Sequence, residues 1–239
     1  MTPPLVSIIL PCYKEEYHLL QSVIELQKVA RGFDFPYEFI FVEDFSPDTT
    51  AVVLKKLEES LLHAKFVYHD RNKGRGAAIK SGFQAASGDI IGYIDIDLEV
   101  SPLYIPDMIE ALKTCDVAIG RRSYYYQLSV QSLLRNSLSH LYRRLSRHYL
   151  KHPFTDTEAG YKFFWKASVL PFFDQIENDH WFWDTEFMVM AHRHKLIVEE
   201  LPVEFIRNNK KQSTVKPVKD SFAYITELRR YRSKTRKRK

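Results

Sequence analysis

Gly88-Asp89-Ile90-Ile91-Gly92-Tyr93-Ile94-Asp95-Ile96-Asp97-Leu98-Glu99 is the stretch that decides the fold. Asp89 to Ile94 is a short apolar run, too short for a buried helix, and it reads as a strand covered on both faces. It runs directly into Asp95-x-Asp97-x-Glu99, with Pro102 soon after. Residues two apart at a strand end point the same way, so Asp95 and Asp97 can face one cleft. Hard divalent cations such as Mg²⁺ or Mn²⁺ take oxygen ligands of this kind and often share them with a substrate diphosphate.

Outward from this strand the same alternation repeats. Leu5–Leu10, Tyr37–Val42, Lys65–Tyr68 and Asp116–Ile119 read as strands. Glu15–Val29, Thr49–Leu61, Gly76–Ser87 and Pro106–Thr114 carry apolar residues at helical spacing. This order predicts an α/β fold, a Rossmann-like and mostly parallel sheet flanked by helices. Ligands of such sheets sit beyond the carboxyl ends of the strands. Further on, Tyr161–Trp165 and Val198–Ile206 read as strands and Asp184–His194 as a helix. Gln127–Leu150 is an amphipathic helical segment, leucine and tyrosine on one side, Arg135, Arg143, Arg144 and Arg147 on the other.

The chain has 239 residues with 45% hydrophobic and 27% charged residues, which excludes collagen-like and wholly disordered classes. Two cysteines, Cys12 and Cys115, make no disulfide framework. Met1-Thr2-Pro3-Pro4 does not read as a secretory leader, and no apolar run is long enough to span a bilayer. The net charge of +5 is concentrated in Leu228–Lys239, which holds eight basic residues; the remainder has 27 basic against 30 acidic. The expectation is one domain over residues 1–227 and a disordered basic tail over 228–239. A nucleic-acid partner led by that tail is the non-enzyme alternative, disfavoured because the folded body is acidic.

Asn72-Lys73-Gly74-Arg75-Gly76 opens a helix after the third strand, where glycines let backbone approach a ligand and a helix N-terminus favours anions. It is neither the dinucleotide fingerprint nor a Walker loop, since Ile79 stands where the fingerprint needs a small residue.

Taken together these segments resemble glycosyltransferase family 2, the GT-A fold, and within it the dolichol- and polyprenyl-phosphate sugar transferase branch. The resemblance rests on Pro11-Cys12-Tyr13-Lys14-Glu15, Val42 to Thr50, Asn72 to Ala77, Gly88 to Pro102, Gly120-Arg121-Arg122, Asp156 to Lys162, Glu200 to Val203, and Arg207 to Ser213. It implies inverting, metal-dependent transfer from a nucleotide-diphosphate sugar, of GDP-mannose or UDP-glucose type. Asp95, Asp97 and Glu99 would hold the cation and diphosphate. Pro11, Tyr13, Glu15, Glu43, Asp44, Lys73, Ile96, Arg207 and Ser213 complete the implied nucleotide-sugar site. Asp156 matches the acidic residue assigned as base or acceptor-orienting group, with Asp184 as runner-up. The sequence departs from the family pattern at Lys14 (commonly Asn), Glu43 (Asp), Phe45 (Gly) and Ala159 (Ser).

A lipid monophosphate acceptor is largely dianionic at neutral pH, so it needs cations more than a base. Arg122, Arg135 and Lys162 suit that task. Transfer to a sugar or protein hydroxyl is the alternative within the family. An arginine-rich amphipathic segment plus a basic tail leads to the expectation of peripheral attachment on the cytosolic face of a membrane, with a membrane-anchoring partner subunit as one further possibility.

Overall fold

In a computed structural model, the described residues are 3–124, 144–206 and 226–233. The strands are β1 (Val6–Cys12), β2 (Tyr37–Glu43), β3 (Ala64–Tyr68), β4 (Ile90–Ile94), β5 (Val117–Tyr124), β6 (Tyr161–Trp165) and β7 (Val198–Phe205). The helices are α1 (Leu19–Ala30), α2 (Thr50–Glu58), α3 (Arg75–Ala85), α4 (Ile105–Ala111), α5 (residues 144–150), α6 (Lys166–Phe173), α7 (Trp183–Arg193) and α8 (residues 226–233).

The seven strands form one sheet in the order β3-β2-β1-β4-β6-β5-β7. β1, β2, β3 and β4 run parallel, and β5 pairs parallel with β7. β6 is antiparallel to both β4 and β5, which leaves β5 aligned with β4. The sequence predicts each of these strands but not the reversal of β6, because direction leaves no trace in an apolar run.

Alternation within each strand divides the core between the two faces. Ile8, Leu10, Phe39, Phe41, Ile90, Ile94 and Phe163 pack on one side with Leu19, Val23 and Met108. Ile9, Ile40, Val42, Ile91, Tyr93 and Phe164 pack on the other with Ile79, Phe83, Trp183 and Phe187. Burial on both faces is why the strands read as unbroken apolar runs.

Two expectations change. A helix over Lys166–Phe173 was not foreseen; Pro171 inside it, which cannot donate an i→i−4 bond, masks the pattern. The residues 228–239 were expected to be a disordered tail, yet 226–233 are helical, with Leu228 and Tyr231 buried against Leu150, Phe182 and Val189. Two apolar anchors one turn apart outweigh the surrounding charge there. Most of the Gln127–Leu150 segment lies outside the described residues, α5 being its described end. Among the described residues no helix is long and apolar enough to cross a membrane.

Candidate active site

The carboxyl ends of parallel β1, β2, β4 and β5 lie on one rim of the sheet. Tyr13–Glu15 follow β1, Glu43 and Asp44 close β2, Asp95–Glu99 follow β4, and Arg121 and Arg122 lie in the final half of β5. Because β6 runs the other way, its entry residue Gly160 is delivered to the same rim, and the Asp95 amide donates to the Gly160 carbonyl at 3.1 Å. Asp95, Asp97, Glu99, Val100, Arg122, Gly160, Tyr161 and Phe205 line one shallow cleft there.

Asp95 is 46% exposed, and its Oδ1 accepts both Nε and Nη2 of Arg75 at 3.0 and 2.8 Å. Enclosure of the strand end raises its pKa, Arg75 opposes this, and the neighbouring Asp97 adds to the rise. Asp97 Oδ1 accepts the Glu99 amide at 3.3 Å across a turn in which Leu98 is left-handed, φ +51°. Ile96, between the two aspartates, has its side chain buried in the core.

The arrangement fits a shared cation rather than a closed cage. Among the described residues no three His, Cys, Asp or Glu side chains converge on a metal-binding geometry. Two carboxylates at the rim suit Mg²⁺ or Mn²⁺, which commonly use one or two carboxylates and complete their shell with water and substrate phosphates.

The acids expected to face a nucleotide, Glu43 and Asp44, point inward. Asp44, 3% exposed, accepts from His69 Nδ1 at 2.7 Å, Asn72 Nδ2 at 3.0 Å, and the Lys73 and Gly74 amides at 2.8 Å each. It thereby builds the turn into α3. Glu43 accepts from the amides of Phe45 at 3.0 Å and Ser46 at 2.7 Å. Phe45 has φ +56° and Lys14 φ +60°, a region that glycine and asparagine occupy at lower cost. The Glu43 side chain, one methylene longer than aspartate, holds the strained turn from within. Lys14 is tied to the same turn through its amide and Ser46 Oγ at 3.1 Å.

Pro11 is part of β1, Tyr13 is half-buried, and the amide of the buried Glu15 donates to the Thr50 hydroxyl oxygen at 2.8 Å. Lys73 projects outward onto Asp70 at 2.9 Å. Gly74 and Gly76 make room for protein: a Cβ on Gly74 (φ +99°) would stand 2.2 Å from His180 Nδ1, and one on Gly76 2.7 Å from Trp183 Cβ.

Asp156 and Asp184, the acids expected near an acceptor, are committed as well. Asp156 is fully buried and takes a fork from Arg122 Nε and Nη2, both 2.8 Å. Asp184, 2% exposed, accepts from Tyr93 Oη at 2.6 Å, Lys162 Nζ at 2.7 Å and Arg75 Nη1. Lys162 is fully buried, so its ammonium does not face the cleft; burial pulls its pKa down and Asp184 pulls it up. Neither carboxylate stands at the surface as a lone base. Arg135, Arg207 and Ser213 lie outside the described residues.

The structure also adds Arg75, which the sequence reading passed over in favour of Lys73. Its signal was present: a basic residue at the first position of a helix, where the dipole disfavours it.

The model of the family described as Glycosyl transferase family 2 matches residues 7–170. The chain belongs to that family. Relatives include glycosyltransferase AglD of Haloferax volcanii, 30% identical over 205 residues, covering 84% of this chain and 33% of that protein. Dolichyl-phosphate beta-glucosyltransferase of Saccharomyces cerevisiae is 24% identical over 221 residues, 84% of this chain and 66% of the yeast protein. Dolichol-phosphate mannosyltransferase of Pyrococcus furiosus is 36% identical over 118 residues, 49% of this chain and 33% of its own. The chain thus spans one to two thirds of these relatives. Glucosyl-3-phosphoglycerate synthase of Mycobacterium tuberculosis, solved with Mn²⁺, UDP and glucosyl-3-phosphoglycerate, superposes with TM-score 0.65 at 17% identity, over 94% of this chain and 77% of that one. This likeness establishes the GT-A fold for the family 2 chain.

Proposed function

We propose that this family 2 protein transfers a hexose from a nucleotide-diphosphate sugar to a dolichyl or polyprenyl phosphate, with inversion. The observation that carries the reading is the cleft itself, where Asp95, Asp97 and Glu99 stand beside Arg122 at the ends of β4 and β5. Carboxylates at that rim suit a diphosphate shared with a cation, and a guanidinium suits a phosphate acceptor.

The burial of Asp156 and Asp184 favours this acceptor over a hydroxyl. A hydroxyl must lose its proton to a positioned base. A phosphate monoester attacks as it is. One of its oxygens forms the bond to the sugar C1 on the face opposite the diphosphate; the C1–O bond to the diphosphate breaks, and the nucleoside diphosphate leaves with the electron pair. A bound divalent cation would supply charge neutralisation at that leaving group. Asp95 and Asp97 would hold it. Asp156 fixes Arg122, whose guanidinium lies 5.7 Å from the Phe205 ring at the cleft wall. Names borne by the yeast and Pyrococcus relatives support both the lipid-phosphate acceptor and the hexose. Peripheral residence on the cytosolic face of a membrane follows from the acceptor and from the basic residues after Leu228.

A thermal-shift panel of UDP- and GDP-sugars, with and without Mn²⁺, tests the donor half. A ligand that binds only the folded state raises its melting temperature. One nucleotide series should stabilise the protein in a Mn²⁺-dependent way; no shift with either series would remove the donor class.

A further inference from the structure

We propose that Arg75 is a positioning residue that makes the cation site respond to the donor: it holds Asp95 as an internal counter-ion and weakens binding of a bare divalent cation until a diphosphate arrives. This rests on the donor reading above and adds a residue-level device to it.

Arg75 sits where local physics does not want it. It is the first residue of α3, at the positive end of the helix dipole. Its side chain is only 10% exposed, and its guanidinium lies over the rings of Tyr93 and Trp181 at 5.6 and 5.7 Å. Two carboxylates keep it there. Nε and Nη2 fork onto Asp95 Oδ1, and Nη1 reaches Asp184 Oδ2. Asp184 in turn holds Lys162 at 2.7 Å. The result is an alternating row, Asp95, Arg75, Asp184, Lys162, whose formal charges cancel without any added ion.

A divalent cation at Asp95 would therefore meet a guanidinium already on one carboxylate oxygen, in a partly enclosed place where like charges repel more than in water. A diphosphate reverses the balance, because its negative charge offsets both the cation and Arg75. Cation and nucleotide diphosphate should then bind with positive coupling, and linkage requires that each tighten the other equally. Asp184 stays neutralised by Lys162 and Tyr93 when Arg75 is changed, so the device can be removed without leaving a buried charge alone.

The test is Mn²⁺ binding to the purified full chain, followed by electron paramagnetic resonance, with and without UDP or GDP. In the wild type, Mn²⁺ alone should bind weakly and the matching nucleoside diphosphate should tighten it by about tenfold or more. In Arg75→Gln, Mn²⁺ alone should bind at least about threefold more tightly and the tightening should shrink. Arg75→Lys, which keeps the charge, should stay close to wild type for Mn²⁺ alone. Unchanged or weaker Mn²⁺ binding in a folded Arg75→Gln variant would overturn the proposal, as would no Mn²⁺ binding in either protein. If Arg75→Gln fails to fold, Mn²⁺ affinity and nucleotide coupling that both stay near wild type in Arg75→Lys support it, and tighter Mn²⁺ binding or lost coupling there overturns it. If neither nucleotide affects the wild type, the donor class is wrong, while the Mn²⁺ comparison still decides for or against Arg75 as a counter-ion.

Discussion

A Cβ placed on Gly160 would stand 2.0 Å from Asp95 Oδ2 and 2.6 Å from Arg75 Nη2. The cleft's central carboxylate therefore depends on a missing methyl group in the loop before β6. Gly160→Ala should leave the fold intact, since no left-handed backbone is needed there, but push Asp95 aside. Sugar transfer should fall by about 100-fold, in line with what an ångström of misplacement costs. Wild-type turnover in a folded Gly160→Ala protein would separate Asp95 from the chemistry.

Asp44 is a structural keystone by its contacts, so its replacement should be read first in stability. Asp44→Ala strands the Lys73 and Gly74 amides and His69 around one buried vacancy. Unfolding in urea should show a loss of about 3 kcal/mol, the range for breaking a buried network. A donor KM effect with unchanged stability would instead place Asp44 at the ligand.

His152 makes a pH-dependent contribution of known sign. Burial, with His192 and Arg147 nearby, lowers its pKa from 6.5 to about 4, and Nε2 meets Ser146 Oγ at 2.9 Å. The folded state thus holds the neutral ring and binds fewer protons than the unfolded chain. Its contribution is complete above pH 6.5 and is lost as pH falls toward 4, by up to about 3 kcal/mol. Stability measured against pH should be flatter in His152→Gln over that window; identical slopes would refute the assignment.

Leu228 tests the reassignment of the C-terminal residues. It is 2% exposed, and Leu228→Ala should cost about 2–4 kcal/mol, as truncation of a buried leucine does. A neutral result would return residues 226–233 to the role of a tail.

Much of this architecture was legible because parallel strands buried on both faces must be apolar throughout, as Ile8–Leu10 and Ile90–Ile94 are. The rim acids were legible because they interrupt those runs at strand ends. What the residues did not disclose is partnership. Nothing in the spacing says that Asp156 closes on Arg122, or that Asp184 gathers Arg75, Lys162 and Tyr93 from three other segments. The Lys162 contact depends on β6 running antiparallel, which sets Lys162 opposite Tyr93 of β4. Leu228 and Tyr231 were hidden by eight charges around them, although their spacing is helical. Phe45 and Glu43 read as two separate departures from the family pattern; that Glu43 holds the turn at Phe45 became visible only with the Phe45 and Ser46 amides on that carboxylate.

The central claim is sugar transfer through Asp95 and Asp97 to a lipid phosphate. Its most direct measurement is transfer of labelled hexose from UDP-glucose or GDP-mannose to dolichyl phosphate, with Mn²⁺ or Mg²⁺, read as butanol-extractable product. The wild type should form that product and Asp97→Asn should lose at least about 100-fold in rate, the scale of losing a key electrostatic group. Label found only in water-soluble product, or equal rates for the two proteins, would contradict the account.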